Sequence, residues 1–227
     1  MTENATLRLD ILPPAQRSLW DELIRVPPSF TLYGGTAIAL YLGHRQSIDY
    51  DLFAFESFDP LRLYDEIPFL SGSEILQSSP NTLTCLVDRE APVQVSFFGI
   101  PRAGQVCAPA MAAGNNLKLA SLVDLAGMKA ATVQRRAEAK DYIDIDALLG
   151  AGINLPTALA SARIIYGEAF NPQLTLKALC YFDEPGLSDL SPDLRQRLAR
   201  EVGAIDLDRL PDFEPVRARP SEAGGSG

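Results

Sequence analysis

Pairs of aspartates separated by one residue are the first feature of this 227-residue chain that could do chemistry. The spacing occurs at residues 49 and 51, 144 and 146, and 206 and 208. Because about one such pair is expected by chance at this aspartate content, the spacing alone indicates no site. The first pair differs in its setting, since residues 47–53 alternate polar and apolar side chains, which predicts a half-buried strand. Asp49 and Asp51 would share its exposed face, and the buried face would carry Ile48, Tyr50 and Leu52.

Two carboxylates on one face of a strand repel each other unless a positive charge lies between them. A divalent cation meets that need, and Mg²⁺ favours one or two carboxylates together with phosphate oxygens of a substrate. Asp49 and Asp51 therefore predict a magnesium site that works with a phosphorylated substrate. The alternative is an exposed acidic strand that binds nothing.

A pair of glycines precedes the acidic strand. Residues 30–33 read as a short strand, Gly34 and Gly35 turn the chain, and a helical pattern follows from Thr36. Backbone N–H groups at the start of a helix attract anions, and glycine lets a phosphate approach closely. The turn is thus a candidate phosphate cradle, with a plain Gly-Gly hairpin as the alternative.

A basic stretch lies in the second half of the chain. Residues 118–140 carry five basic and two acidic side chains, and the absence of Gly and Pro between residues 128 and 149 predicts one continuous helix. On an ideal helix Lys129, Arg136 and Lys140 fall within about 40° of one another. They would form either a face that binds phosphates or a solvated face with no ligand.

Two motifs in the first half resemble a known enzyme superfamily. The order Gly34-Gly35, thirteen residues, then Asp49-Tyr50-Asp51 resembles the signature of DNA polymerase β-type nucleotidyltransferases. More narrowly, residues 32–53, LYGGTAIALYLGHRQSIDYDLF, resemble the AbiEii/AbiGii toxin family. The resemblance extends over about residues 30–185, because LVDLAGMK ending at Lys129 and the later Lys140-Asp141-x-x-Asp144 are similar to later motifs of that family.

The resemblance implies a fold and a set of site residues. The fold is an α+β nucleotidyltransferase core with a mixed sheet, followed by a helical bundle. In the first half, Mg²⁺ would lie between the two carboxylates of the strand, and the phosphate cradle would consist of Gly34, Gly35 and Thr36. In the second half, Lys129 would hold the nucleoside triphosphate with help from Arg136 and Lys140, and Asp144 or Asp141 would complete the site.

Other implications concern partners and one departure from the pattern. The family implies a toxin with a separate antitoxin protein, and RNA such as tRNA is one family acceptor.

Related enzymes place a third carboxylate on a neighbouring strand as general base, but residues 93–98 offer Gln94 and Ser96 there. His44 and Arg45 could reach phosphate, although the interpretation favoured here is that they answer the dipole of the preceding helix.

The domain division follows from the change in element pattern. Residues 1–120 predict the mixed α/β core, residues 121–210 a helical domain that closes the cleft, and residues 211–227 a mobile tail rich in Pro, Gly and charge. A helix is expected from residues 13–14 to about Arg25, with strands at 81–87 and 93–98. Further helices are expected at residues 156–166, 172–181 and 192–201, each with proline at its start.

Composition excludes several classes of protein. A net charge of −9 and a pI near 4.7 argue against a protein that coats nucleic acid over its whole surface. One histidine and three widely spaced cysteines exclude a structural zinc site. The longest apolar run, residues 37–42, is too short to span a membrane, and the N-terminal residues do not read as a signal peptide, so a cytoplasmic protein without a membrane partner is expected.

Three functions fit these features. The first is Mg²⁺-dependent transfer of a nucleoside monophosphate from a nucleoside triphosphate to a hydroxyl acceptor such as RNA. The second is a nucleotide-binding or partner-binding module of the same fold that lacks a competent base. The third is modification of a small molecule, such as the hydroxyl of an antibiotic, at the same metal site. Release of pyrophosphate separates the first and third functions from the second.

Overall fold

The computed structural model describes residues 4–220, which divide into two compact units. The first unit contains the chain through Pro101 together with Pro109–Ser121. The second contains Arg102–Ala108 and the chain from Leu122 onward. The assignment of residues 102–108 to the first domain is therefore corrected. Closure of a cleft by the helical unit stays a prediction.

Within its described residues, from Asn4 onward, the first unit has a mixed eight-stranded sheet with three α-helices, as the α+β prediction expects. The strands are β1 (Asn4–Ala5), β2 (Phe30–Tyr33), β3 (Asp49–Ala54), β4 (Glu74–Ser79), β5 (Thr82–Asp88), β6 (Pro92–Gly99), β7 (Ala110–Ala112) and β8 (Lys118–Leu119). The helices are α1 (Pro14–Trp20), α2 (Gly34–Leu42) and α3 (Pro60–Glu66). The strands lie in the order β1-β7-β8-β2-β3-β6-β5-β4.

Strand β3 lies inside the sheet and carries the acidic pair. It pairs antiparallel with β2, so that Tyr33 is opposite Asp51, and parallel with β6. Along β6, Gln94 is the register partner of Asp49 and Ser96 is the register partner of Asp51. The carboxylates thus project from a strand that is held on both sides.

Burial along β3 alternates as a half-buried strand requires. Tyr50 and Leu52 are fully buried, while Asp49 and Asp51 lie on the partly exposed face. The expectation that Ile48 is buried with them is wrong, because its side chain is 65% exposed. The strand begins only at the next residue, so Ile48 has no paired neighbour to fix its direction.

Helix α1 packs behind β3. The hydroxyl of Tyr50 donates a 3.0 Å hydrogen bond to the carbonyl of Gln16, and the ring centroids of Trp20 and Tyr50 are 6.3 Å apart. The single helix expected through Arg25 changes after Trp20 into a 3₁₀ turn at Asp21–Arg25. These contacts fix the buried face of the strand and leave its acidic face outward.

The second unit contains five α-helices among the described residues. They are α4 (Leu122–Thr132), α5 (Ala139–Gly150), α6 (Leu155–Tyr166), α7 (Pro172–Ala178) and α8 (Pro192–Gly203). Helix α4 packs closely on α6 at Gly127, where an added Cβ would lie 2.8 Å from the Cβ of Ser161. The hydroxyl of Thr175 donates a 2.7 Å hydrogen bond to the carbonyl of Ala130 and joins α7 to α4.

The expected continuous helix across the basic stretch is wrong, because residues 133–138 separate α4 from α5. On a straight helix the 12-residue separation of Lys129 and Asp141 would place them about 18 Å apart. Their side chains instead meet at 2.6 Å. The break occurs without Gly or Pro, and the ion pairs of Lys129 and Arg136 with Asp141 stabilise the turned chain.

Residues 102–108 are fastened to the helices of the second unit. The buried carboxylate of Asp124 on α4 accepts backbone hydrogen bonds from Val106 at 2.7 Å and Cys107 at 2.9 Å. The backbone N–H of Gly104 donates to the carbonyl of Ile165 on α6 at 3.1 Å. The Asp124 carboxylate thus holds residues 106 and 107 against α4.

The prediction of a mobile tail from residue 211 is corrected for part of that segment. Gln105 and Arg217 form an antiparallel bridge with backbone hydrogen bonds of 2.9 and 3.1 Å. The side chain of Arg219 donates to the carbonyl of Arg102 at 3.1 Å. Paired backbone groups hold this stretch in place. Residues 221–227 of the predicted tail lie outside the described residues.

No single helix within residues 4–220 is both long and apolar enough to cross a membrane. The helical segments 139–150 and 155–169 are long and apolar enough only when taken together, and a bend of 117° separates them.

Candidate functional site

The glycine turn brings an acidic side chain against the start of α2. Gly34, the first residue of the helix, has a φ of +73°, a conformation that L side chains rarely adopt. A Cβ at this residue would also collide with the carboxylate of Asp51. Glycine is required here for two reasons, and the result is a carboxylate directly over the first turn of the helix.

Thr36 fastens the same turn to the acidic strand. Its buried hydroxyl donates a hydrogen bond to the backbone carbonyl of Asp49. Helix α2 ends at Leu42, and the next residue, Gly43, has a φ of +64° and turns the chain back. Residues 44–48 then return to the start of β3. The first turn of α2, Asp49 and Asp51 are therefore parts of one local structure.

The return segment places a guanidinium over the glycine turn. A Cβ at Gly35 would run into the guanidinium of Arg45 and would lie 3.2 Å from the hydroxyl oxygen of Ser47. Arg45 also donates through Nη1 to the carbonyl of Gln46 at 2.8 Å. The expectation that Arg45 answers the dipole at the end of α2 is wrong, because its charged group lies over the first turn.

The residues beside the carboxylates on β6 carry no charge. The hydroxyl of Ser96, next to Asp51 in register, is within hydrogen-bond distance of Thr84 Oγ1 at 3.2 Å and of Gln94 Nε2 at 3.5 Å. Within residues 4–220 no group of three or more His, Cys, Asp or Glu side chains is arranged to hold a metal ion. The donor set, two carboxylates on one strand, fits Mg²⁺ only if a substrate supplies further oxygens.

In the second unit, a buried lysine joins two buried aspartates. The Nζ atom of Lys129 lies 2.6 Å from Asp141 Oδ1 and 2.7 Å from Asp144 Oδ2. Both aspartates are fully buried, and the lysine side chain is 8% exposed. Lys129 therefore has two of its three donor positions occupied by carboxylates of α5.

Asp141 accepts hydrogen bonds from two cations of this cluster. Arg136 donates to it twice, from Nε to Oδ2 at 2.8 Å and from Nη2 to Oδ1 at 3.1 Å, in addition to the bond from Lys129. Burial by itself would raise the pKa of the Asp141 carboxyl, but the hydrogen bonds and charges of Arg136 and Lys129 outweigh it and lower the pKa. Asp141 stays ionised and holds two cations in position.

The predicted basic face does not exist as such. Lys129 is buried with the aspartates, whereas Lys140 is half exposed on the next helix and pairs with Glu138 at 3.0 Å. Arg136 lies between the two helices in the chain and turns toward Asp141. Because the helix is broken, Lys129 and Arg136 meet at the Asp141 carboxylate and do not form a row of cations with Lys140 along one helix.

A known protein family has a model that matches the part of the chain carrying these motifs. Residues 19–219 match the family model described as nucleotidyl transferase AbiEii toxin, type IV TA system. The chain belongs to this AbiEii family. The match includes the glycine turn, the acidic strand and the lysine–aspartate cluster, and the family assignment from residues 32–53 is confirmed.

Individual relatives of this AbiEii protein are distant. A curated, uncharacterised protein of Aquifex aeolicus is 34% identical over 118 residues, or 51% of this chain and 55% of the relative, so the match spans about half the length of each. MenT4, a nucleotidyltransferase toxin of Mycobacterium tuberculosis, has a TM-score of 0.56 at 16% identity over 84% of both chains. A candidate nucleotidyltransferase from H. pylori has a TM-score of 0.50 at 18% identity, covering 83% of this chain and 88% of its own. The structural likeness shows a shared fold.

The sequence contained a signal for the position of Arg45. Helix α2 has nine residues and a length of about 13.5 Å. The five residues 44–48 span at most about 17 Å, so they are just long enough to return from the end of the helix to its start. In this AbiEii protein a side chain in the middle of that segment can reach the first turn of α2. The guanidinium of Arg45 lies there.

Proposed function

We propose that this protein transfers a nucleoside monophosphate from a nucleoside triphosphate to a hydroxyl group of RNA and releases pyrophosphate. One observation carries the proposal: the Asp51 carboxylate, paired on one strand face with Asp49, lies against Gly34 at the start of α2. Carboxylate oxygens therefore lie beside the backbone N–H groups of a helix start, a position where phosphate and its cation could both be bound. A triphosphate with its cation needs both kinds of group.

The glycine turn would bind the phosphate oxygens. The first N–H groups of α2 have no partner within the helix, and the helix dipole favours a negative charge beside them. Gly34 and Gly35 present these groups without a side chain in the way. Thr36 uses its hydroxyl on the carbonyl of Asp49, so its contribution to phosphate would be its backbone N–H.

Asp49 and Asp51 would hold Mg²⁺ together with oxygens of the triphosphate. When bound, the ion draws charge from the phosphate that is attacked and from the leaving pyrophosphate. The two aspartates fix where that charge is neutralised, because Tyr50 and Leu52 are buried on the opposite face and hold the strand. The acceptor hydroxyl would attack the α-phosphorus, and the bond to the bridging oxygen of pyrophosphate would break.

The lysine–aspartate cluster of the second unit would act through its fixed charges. Asp141 is bonded by Arg136 and Lys129 on both oxygens, which makes it a positioning residue. Asp144 is also fully buried and bonded to Lys129, so it too would act as a positioning residue within this unit. Lys129 would fix the charges of both aspartates inside this unit through its contacts of 2.6 Å with Asp141 and 2.7 Å with Asp144.

Family and fold support the proposed reaction and a biological setting. The matched family is described as a nucleotidyl transferase toxin of a type IV toxin–antitoxin system, and MenT4 is a nucleotidyltransferase toxin. By analogy, this protein would act as the toxin of a pair whose antitoxin is a separate protein. RNA, including tRNA, is the acceptor class to test first.

A second candidate function is nucleotide binding without transfer. It is favoured by the neutral residues Gln94 and Ser96 beside the acidic pair, where a general base would be expected. In this case the protein would bind nucleoside triphosphate saturably with Mg²⁺ and release no pyrophosphate. The same assay separates the two candidates.

The test is incubation with each α-labelled nucleoside triphosphate, Mg²⁺ and total cellular RNA. Label should appear on RNA with the unaltered protein and should be lost with Asp49→Asn and Asp51→Asn. Asp65→Asn is the matched control, because Asp65 is an exposed carboxylate of the same unit. Nucleotide binding without pyrophosphate release would select the second candidate. Label on RNA from the Asp51→Asn variant would contradict the assignment of the site.

A further inference from the structure

We propose that the rings of Phe53 and Phe98 form a stacking surface for an unpaired base of the RNA acceptor. The inference rests on the proposed function and adds a place for the acceptor nucleotide. Both residues are half-buried, and they are register partners on the neighbouring strands β3 and β6.

Position is the first argument. Phe53 follows Asp51 by two residues on β3, so the two side chains lie on one face of the sheet with Cα atoms about 6–7 Å apart. Strand β2, which leads into the glycine turn, lies on one side of β3, and β6 with Phe98 lies on the other. A base on these rings would be next to the acidic pair, on the side away from the turn that would bind phosphate. This position fits a base of the acceptor and not the base of the incoming nucleotide.

Exposure is the second argument. On the opposite face of the same two strands, Leu52 and Phe97 are fully buried. Phe53 and Phe98 are aromatic as well, but both keep part of their surface in contact with water. Apolar surface that stays in water contributes less to stability than buried surface. Adjacent exposed apolar groups, unlike single ones, are typical of binding surfaces.

The arrangement of the rings is the third argument. The centroids of the Phe53 and Phe98 rings are 4.9 Å apart, with 32° between the ring planes. The buried ring of Tyr33, at the end of β2, packs edge-to-face on Phe53 at 5.3 Å. Strand pairing on both sides of β3 holds the backbone of Phe53. A base would meet rings that are already in place, which reduces the entropy lost on binding.

Chemistry of the neighbouring residues is the fourth argument. Thr82 on β5 is the register partner of Phe98, and Ser79 on β4 is the register partner of Thr82. The row thus continues from two aromatic rings to two hydroxyl groups, which can bond the edge of a base or a ribose. Stacking uses the π-face that every base has, and it requires a base outside a duplex. The surface therefore suits an unpaired base of any sequence.

The experiment measures binding of a short single-stranded oligoribonucleotide that carries the fluorescent base 2-aminopurine at its 3′ end. Affinity and fluorescence quenching are measured at equilibrium, without nucleoside triphosphate. Phe98→Leu keeps an apolar side chain but should weaken RNA binding at least about fivefold and abolish the quenching. Phe98→Tyr keeps the ring and should match the unaltered protein. Phe58→Leu is the matched control, because it removes a half-buried ring of the same unit that packs on Phe30, and it should also match the unaltered protein.

An oligoribonucleotide whose last nucleotide lacks its base separates stacking from other contacts. The unaltered protein should bind it about as weakly as Phe98→Leu binds the complete RNA, and Phe98→Leu should weaken it no further. Each nucleoside triphosphate, titrated with Mg²⁺, should bind the unaltered protein and Phe98→Leu with affinities that differ less than about twofold.

Other outcomes separate the inference from the proposed function. Lower triphosphate affinity in Phe98→Leu with unchanged RNA affinity would assign the rings to the incoming nucleotide and overturn the inference. Equal weakening of the complete and the base-free RNA would also overturn it, because a ring that only supports the sheet affects both alike, and this comparison decides even if Phe98→Leu melts at a lower temperature. Unchanged RNA affinity in Phe98→Leu, alongside normal nucleotide transfer, would overturn the inference and leave the proposed function standing. Quenching by an unaltered protein that transfers no nucleotide would support the stacking surface and overturn the proposed transfer.

Discussion

Lys129 and Asp141 are 12 residues apart in the chain, and their side chains meet at 2.6 Å inside the helical unit. The contact requires the chain to turn between α4 and α5, and Arg136, which lies in that turn, donates to the same carboxylate. The pair therefore connects the shape of the helical unit to the position of Asp144, which Lys129 also contacts.

Removal of the Asp141 charge should destabilise the helical unit. Asp141→Asn leaves Lys129 buried with one carboxylate partner fewer and removes the acceptor of Arg136, so we expect a loss of about 3 kcal/mol in the free energy of unfolding. Urea denaturation measures it. Asp146→Asn is the matched control on the same helix, because its pair with Arg197 is exposed and should contribute little.

The same carboxyl should make the free energy of unfolding of the protein decrease at acid pH. Because the pKa of Asp141 is lower in the folded protein than in the unfolded chain, its contribution is complete above the ordinary aspartate pKa of about 3.9 and is lost as pH falls through the folded value. Denaturation curves between about pH 2.5 and 6 should show a steep acid loss that is shallower in Asp141→Asn. Equal slopes in both proteins would contradict this assignment.

Close packing of α4 on α6 depends on the absence of a side chain at Gly127. An alanine there would collide with the hydroxyl of Ser161, so Gly127→Ala should destabilise the protein by about 1–3 kcal/mol. Gly150→Ala is the control, since nothing lies within 4 Å of its added Cβ. Thermal melting of both variants checks the difference, and equal melting temperatures would show that α6 moves aside at no cost.

Gly34 and Gly72 offer a matched pair for the glycine turn. Both have a positive φ, +73° and +78°, so alanine should cost each about 1–2 kcal/mol of stability. Only at Gly34 would the new Cβ meet Asp51, whereas nothing lies within 4 Å at Gly72. Gly34→Ala should therefore abolish nucleotide binding and Gly72→Ala should leave it intact. Equal binding in the two variants would remove the turn from the site.

Local patterns in the sequence were sufficient to predict the acidic strand. The period of two around Tyr50 and Leu52 predicts which face is buried, because a strand inside a sheet turns successive side chains to opposite faces. Strand β4 escaped prediction because five of its six residues are exposed, which leaves no alternation of burial to detect. The prediction that Ile48 is buried was wrong for a related reason. Ile48 precedes the first paired residue of the strand, so the alternation of burial along the strand does not apply to it.

The charged cluster was only partly predictable. Family resemblance brought Lys129, Asp141 and Asp144 together as site residues, and the structure places them in contact. The helix that was to align Lys129 with Lys140 is interrupted, and the ion pairs of Lys129 and Arg136 with Asp141 stabilise the interruption. An ideal helical wheel contains no information about such contacts.

Parallel reactions with α-labelled and γ-labelled nucleoside triphosphate test the central claim most directly. Each reaction contains Mg²⁺ and RNA, and label on the RNA and pyrophosphate released are both counted. Nucleotidyl transfer predicts that α-label joins the RNA, that γ-label leaves as pyrophosphate, and that one pyrophosphate appears for each nucleotide added. Asp49→Asn should abolish both signals, and Asp65→Asn should change neither. Label on RNA from the γ-position, or α-label transfer that persists in Asp49→Asn, would contradict the account.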